Sequence, residues 1–521
     1  MIGIRQLSRL ARTLKLGGCN TGPRLILVAE CSYAAPRSGQ CPSPAQSTPP
    51  VHTSRAAASL GGVALSEYAE RRQALAKELL ADALEEECVS SSSQAPLLCL
   101  VAAPSQKFSA PDVPVPFRQC SNFRYLTGFL EPDSVLLLYK DPRSAAVEST
   151  LFVQEKDPKW ELWNGPLPGP DGAVAMTGVD AAYGKAQLDR VLDSILRSAS
   201  SRLLLYTSAL ETGQRVASVV EQFFRDNHTK LLFMGEGSAT RSIHKLRWVK
   251  SAAEQLLVRE ACRVGADALS ATMRYAADAM RLPGRHDVRL VESCLSSRME
   301  LESRLRGASG LAYPPVVAGG NRANTIHYVN CSQVLSSTEM VLMDAGCEVD
   351  GYVSDITRTW PLSGRFGPAE RVLYELLETV QRQLLRLAQE MRPLLLSDMY
   401  QAQMELLAAA LKDAGLVRAE LQGQQLRALV DRLCPHHVSH YLGLDVHDTA
   451  SVARSIALKP GVVFTVEPGL YVAGHETALP AEFRGLGVRI EDDLLVTESA
   501  VEPLTAHCPK TVAEVEALLN A

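Results

Sequence analysis

Five side chains in the C-terminal half of this chain have types and spacing suited to metal chemistry. Asp344 stands in Met-Asp-Ala-Gly, and Asp355 in Ser-Asp-Ile-Thr-Arg-Thr. His440 closes the run His436-His437-Val438-Ser439-His440. Glu467 follows in Thr-Val-Glu-Pro-Gly, and Glu491 in Val-Arg-Ile-Glu-Asp-Asp. If they converge, four carboxylates crowd one imidazole, and like charges that close cannot all stay ionised without compensation. Two divalent cations supply that compensation. A donor set rich in carboxylate oxygen favours hard or borderline ions such as Mn²⁺ over a thiolate zinc site. A bridged metal pair makes hydroxide at neutral pH and clamps both oxygens of a tetrahedral intermediate, so the expected chemistry is two-metal hydrolysis.

The neighbours of these residues sharpen the expectation. Asp344 and Asp355 lie 11 positions apart with Gly346 and Gly351 between them. Two strands joined by a turn would carry both to one end of a sheet. Both aspartates stand in apolar or Thr-rich contexts, where an unpaired carboxylate is costly. His436, His437, His440 and His447 fall within twelve residues, with Gly443 available for close backbone approach. One imidazole can ligate a metal while another donates to a developing oxyanion. Pro468 stops the strand that ends at Glu467 and fixes the turn after it. Alternation puts Gly487, Arg489 and Glu491 on one strand face. There Arg489 either orients a ligand carboxylate or forms a structural ion pair.

Two blocks of elements must position these residues. The first opens with an amphipathic helix over 66–88. Strand-like runs follow at 96–103, 134–139, 151–153, 202–206 and 230–233, with helices over 185–198 and 208–224 and a Gly/Pro-rich loop over 165–172. The alternation predicts an α/β domain with a largely parallel sheet, ending near residue 242. The second block has helical stretches at 251–280, 287–305, 368–389, 397–414 and 421–434. Its strand-like runs lie at 315–318, 340–344, 351–360, 462–467 and 486–491. Every candidate ligand then falls at a strand end or in the adjoining loop, where a rigid scaffold presents a site. The order of elements permits two similar halves.

The chain has 521 residues, enough for two or three cores, with 46% hydrophobic and 21% charged residues. Its net charge of −5 gives no electrostatic case for nucleic acid, and no apolar run is long enough for a membrane span. Up to residue 66 the basic residues are Arg5, Arg9, Arg12, Lys15, Arg24, Arg37 and Arg55, against the single acid Glu30. Leu7, Leu10 and Leu14 interleave with the arginines. This basic, acid-poor, amphipathic start has the composition of a mitochondrial transit peptide, followed by a Pro/Ser/Ala-rich linker over 34–59. The twelve cysteines contain no CxxC pair and suit buried thiols in a reducing compartment.

The ordered motifs resemble those of the Xaa-Pro aminopeptidases (aminopeptidase P), which are pita-bread metallopeptidases. They are Asn324-Thr-Ile-His-Tyr328, Asp344-Ala-Gly346, Asp355-Ile-Thr-Arg-Thr359, the segment from His436 to Asp448, Val466-Glu-Pro-Gly469 and Val488-Arg-Ile-Glu-Asp-Asp493. Upstream, Pro116–Phe129 resembles the N-terminal domain of the same family. With the leader, the chain is most similar to the mitochondrial members. The resemblance implies a transit peptide and linker over 1–65, an N-terminal α/β domain over 66–242 and a C-terminal pita-bread (α+β) domain over 243–521. It implies two divalent metal ions, manganese expected, on Asp344, Asp355, His440, Glu467 and Glu491. His327, His436 and His447 are expected to line the substrate site and to act in catalysis with Glu467 and Arg489. The implied partners are peptide N-termini with proline at the second position and a second copy of the chain in a homodimer. Cys120 departs from the pattern, standing where relatives often carry Asp or Asn. A prolidase-type dipeptidase with the same ligands and a metal-free binding module of the same fold are the alternatives. The intact ligand set speaks against the second.

Overall fold

The computed structural model describes residues 59–60, 62–86, 96–199, 201–208, 222–223, 225–281 and 290–521. All described residues lie in one compact unit. The expected transit peptide therefore lies outside the described residues, as does most of the helix expected over 208–224.

The first helix, Leu65–Glu85, buries Leu75, Leu79 and Ala83. It covers one face of a six-stranded sheet whose order is Leu231–Phe233, Leu203–Thr207, Leu97–Ala102, Val135–Lys140, Glu148–Val153 and Ala181–Gly184. The sheet is mixed, which corrects the largely parallel expectation. Val135–Lys140 pairs antiparallel with both of its neighbours, and the outer pairings are parallel. The short connection over 141–147 is the physical reason for the pairing with Glu148–Val153, because parallel neighbours need a crossover of a dozen or more residues. The loop expected over 165–172 is also corrected, since its last residues open the helix Gly169–Thr177. Pro170 sits in that helix's first turn, where a missing N–H costs nothing. A further short helix, Pro158–Asn164, was not expected; Asp157 caps it.

The helix Ser238–Trp248 runs through the division expected after residue 242. Beyond it, the helices Ala252–Arg281 and Glu292–Leu305 back an antiparallel sheet of Val316–Gly319, Met340–Ala345 and Ile356–Pro361. The helices Pro368–Glu390, Leu396–Asp413 and Gly423–Leu433 back a second set of strands, Val463–Val466, Gly469–Val472, Leu486–Arg489 and Asp492–Val496. Helices followed by antiparallel strands thus occur twice, as the element order permitted. The single strands expected over 351–360 and 486–491 are each interrupted, the first at Ser354-Asp355 and the second at Ile490-Glu491. Both interruptions fall on candidate ligands. Gly346 allows the first: a Cβ there would lie 1.7 Å from the Ser354 carbonyl oxygen. Among the described residues no helix is long and apolar enough to cross a membrane. The described cysteines are free, and Cys99, Cys262, Cys331, Cys347, Cys434 and Cys508 are buried.

A buried ionic knot joins the layers. Lys250 Nζ lies 3.0 Å from Asp448 Oδ2, and Arg247 pairs with the other oxygen. Burial opposes ionisation of Asp448, but the charges of Arg247 and Lys250 hold its carboxyl below the ordinary value. A carboxyl depressed in the fold contributes stability above its unfolded pKa of about 3.9 and loses it as pH falls through the folded value. Asp448→Asn should therefore cost about 3–5 kcal/mol at neutral pH, since it leaves the buried Lys250 without a carboxylate partner and Arg247 with Asp445 alone. The deficit relative to the unaltered protein should shrink toward pH 3. Urea unfolding of both proteins across that range checks this. A deficit that does not change with pH would contradict the ionic origin.

Candidate metal centre

The interruptions at Asp355 and Glu491 turn two carboxylates out of strand register and toward each other. Asp355, His440 and Glu491 are buried and offer ligand atoms within 4.8 Å of one another. His440 Nε2 lies 3.3 Å from Asp355 Oδ2 and 3.5 Å from Glu467 Oε1. The His440 Nδ1 faces the Tyr441 carbonyl at 3.2 Å. A proton on Nδ1 satisfies that contact and leaves Nε2 as the ring atom that faces the carboxylates. Glu467 follows the strand Val463–Val466, and its backbone N–H donates to the Val438 carbonyl, which locks the His440 loop beside it. Asp344 is next to last in Met340–Ala345 and opposite Thr357 in the neighbouring strand. It joins the cluster through the Tyr313 hydroxyl, which lies 2.6 Å from Asp344 Oδ1 and also contacts Asp355 Oδ1.

Arg489 resolves toward an orienting geometry. Nη2 donates to Asp344 Oδ2 at 2.5 Å, Nε to Thr357 Oγ1 at 3.0 Å and Nη1 to the Tyr471 hydroxyl at 2.7 Å. Thr357 Oγ1 in turn donates to Glu491 Oε2 at 2.7 Å. One guanidinium therefore reaches both halves of the cluster. Tyr313, Thr357 and Tyr471 escaped sequence reasoning. Thr357 and Tyr471 lie within or beside the quoted motifs and could have been found there, whereas Tyr313 carries no such signal.

The three substrate-side histidines differ in place. His447 meets the His440 ring edge-on with centroids 4.5 Å apart. His327 is exposed on a turn. The His436 ring nitrogens are already engaged, Nε2 with the Tyr471 hydroxyl at 2.9 Å and Nδ1 with the His437 carbonyl at 3.0 Å. Its nearest approach to the cluster is 3.9 Å, to Glu467 Oε2.

The electrostatics show a site short of positive charge. Burial, reinforced by the charge of Asp355, pushes the Glu491 carboxyl far up. Burial likewise lifts Glu467 to about 7 and raises Asp344, against the pull of Arg489 on the latter. His440 is buried, which disfavours its cation. The Asp355 hydrogen bond and the Glu467 charge nevertheless lift it to about 9. That cationic imidazole, despite burial, holds Asp355 low. Burial, with the Arg489 charge adding to it, pushes His436 down to about 4, and burial also lowers His447. Glu491 Oε1 is buried without a hydrogen-bond partner. An orphaned carboxylate oxygen among acids driven toward protonation is what a divalent cation would cure, so these residues fit one or more such ions.

The arrangement is a candidate metal centre, and comparison with known proteins gives its class as a metallopeptidase. Residues 257–498 match the model of metallopeptidase family M24, and residues 68–206 match the aminopeptidase P N-terminal domain. Xaa-Pro aminopeptidase 3 of Homo sapiens is 38% identical over 461 residues, which span 88% of this chain and 87% of that protein. "Intermediate cleaving peptidase 55, mitochondrial" of Arabidopsis thaliana is 33% identical over 460 residues, 88% of this chain and 84% of that one. The solved structure of Pseudomonas aeruginosa aminopeptidase PepP superposes with a TM-score of 0.74 at 32% identity, covering 88% of this chain and 99% of that one. The chain belongs to the aminopeptidase P branch of the M24 metallopeptidases.

Proposed function

We propose that this protein is a metal-dependent aminopeptidase that releases the first residue from peptides with proline in the second position. The observation that carries the reading is the buried convergence of Asp355, His440 and Glu491, with Glu467 and Asp344 beside them, in a chain of this family. Asp344, Asp355, His440, Glu467 and Glu491 would hold two divalent cations, Mn²⁺ by the hardness of the donors. When bound, the ions neutralise the carboxylates, polarise the scissile carbonyl and lower the pKa of a water.

The protein's own groups do the rest. Glu467, beside His440 in the cluster, takes up a proton and delivers it to the leaving nitrogen. His447, lowered by burial, stays neutral and presents an N–H to the oxyanion, with His327 on the rim beside it. His436 acts at one remove by holding Tyr471, which braces Arg489. Arg489 keeps Asp344 in place and, through Thr357, Glu491. The scissile amide before proline has no N–H, so none of these groups needs to grip one.

The domain reading of 66–242 and 243–521 and the homodimer belong to the same proposal. Mitochondrial matrix targeting by the basic leader does too, supported by its composition and by a mitochondrial relative.

Steady-state assays on Xaa-Pro-Yaa tripeptides, longer peptides and Xaa-Pro dipeptides test the activity. Release of the first residue should be faster from the longer substrates. Exchanging proline for alanine at the second position should slow it about tenfold or more through the lost ring contact. Faster turnover of the dipeptides would replace this reading with prolidase.

A further inference from the structure

The segment over 116–129 supplies no member of the carboxylate cluster. It lies instead against two loops that do. Arg118 donates through Nε to Glu348 Oε2 at 2.6 Å and through Nη2 to the Leu444 carbonyl at 2.5 Å. Glu348 belongs to the strand Cys347–Val349, between Asp344 and Asp355 in the chain. Leu444 and Asp445 lead into His447. Ser121 Oγ donates to Asp445 Oδ1 at 2.6 Å. The other Asp445 oxygen accepts from Arg247 Nη2 at 2.7 Å, and Asn122 Oδ1 holds the same guanidinium through Nη1 at 2.6 Å. On the far side of the hairpin, Gly351 has φ +86°, and a Cβ there would stand 2.4 Å from the Arg124 guanidinium carbon.

The loop over 443–449 has no strand or helix of its own, and Thr449 takes a left-handed φ of +48°. No ladder sets its course. Backbone bonds from Asp448 N–H to the Tyr441 carbonyl and from Val353 N–H to the Gly443 carbonyl, with the buried Asp448 pairs, hold its ends, and Asp445 between them is held by side chains of the segment over 118–122 and by Arg247. Exposed ion pairs contribute little to stability, and the Arg118 side chain is 44% exposed. Displacing a substrate-facing group by about 1 Å, however, costs on the order of a hundredfold in rate. An effect on catalysis without an effect on folding is the signature that follows.

We infer that Arg118, with Ser121 beside it, is a positioning residue for peptide hydrolysis: it clips the His447 loop to the hairpin between Asp344 and Asp355, so that the N-terminal layer sets the His447 ring against the metal centre. The inference rests on the role given to His447 above. It is tested on Mn²⁺-loaded full-length enzyme with Arg118→Ala, His447→Ala and the double variant. Arg118→Ala should lower kcat about tenfold or more and leave KM within about threefold, with melting temperature and metal content unchanged. In the His447→Ala background the same change should cost less than about twofold. If Arg118→Ala does not accumulate, Ser121→Ala, which deletes one oxygen, should show the same non-additive loss at smaller size. Unchanged kcat, metal loss, or an equal loss in both backgrounds overturns the inference alone. Full turnover by His447→Ala overturns the role of His447 and this inference with it.

Discussion

Asp355→Ala should lose at least one metal ion and about three orders of magnitude or more in turnover, more than the 10–100-fold typical of groups that only support ligands. The Asp355 carboxylate lies between His440 and Tyr313 and so links the two sides of the cluster. Its Oδ2 faces His440 Nε2 at 3.3 Å, its Oδ1 contacts the Tyr313 hydroxyl, and its backbone N–H donates to Asp493 Oδ2 at 3.0 Å. The backbone bond survives the substitution, so the fold should persist while the cluster loses a charge at its centre. His440 then loses one of the two carboxylates that lift its pKa and keeps Glu467, and Tyr313 keeps only Asp344. Metal analysis of the purified variant beside kcat on a proline-containing tripeptide decides the matter. Wild-type metal content with substantial turnover would remove Asp355 from the centre. Asp355→Asn is the companion, because it keeps shape and removes only charge.

The cluster was legible because its chemistry depends on residue type, and acids at strand ends are conspicuous in a sequence. Glu467 before Pro468-Gly469 and Asp355 before a Thr-rich strand each announce a strand terminus. What joins them was not legible. The Tyr313 hydroxyl meets two aspartates only because Val316–Gly319 pairs with Met340–Ala345 and Gly346 lets Ser354 close in. Nothing in Ala312-Tyr313-Pro314-Pro315 has a period that predicts this contact. The same holds for the N-terminal sheet. All of its strands but the edge strand Ala181–Gly184 were found from their apolar runs, yet strand direction depends on connection length, and the short link after Asp141-Pro142 makes a hairpin where alternation suggested a crossover. Gly and Pro over 165–172 read as a loop, although proline in the first turn of a helix is as favourable as in a turn. His436 shows the converse. Its place in the motif suggested a substrate contact, but Tyr471 and the His437 carbonyl already use its nitrogens.

Metal-free protein should lose thermal stability as pH rises, and Mn²⁺ should restore most at the alkaline end. The sign follows from the cluster. Glu467, Glu491 and Asp344 have pKa values raised in the fold, so each favours its neutral form there. A raised group contributes stability that is complete below its unfolded pKa and is lost as pH climbs through the folded value. His440, lifted by Asp355 and Glu467, obeys the same rule with its cation. Asp355 is depressed, but its contribution changes only in strong acid. His436, His437 and His447, lowered in the fold, oppose this below the ordinary imidazole value of about 6.5, so the net loss is expected from there up to the His440 value of about 9, with Glu467 crossing at about 7. Divalent cations that bind the folded state alone add about 4 kcal/mol at a thousandfold excess over Kd. They also relieve the repulsion that grows with pH. Melting curves of chelated and Mn²⁺-loaded protein across this range, with activity measured in parallel, provide the check. The gap between the curves should widen from acid to alkaline pH, and chelation should abolish turnover throughout. A gap that narrows with rising pH, or activity in thoroughly chelated protein, would mean that these carboxylates are not held together by metal.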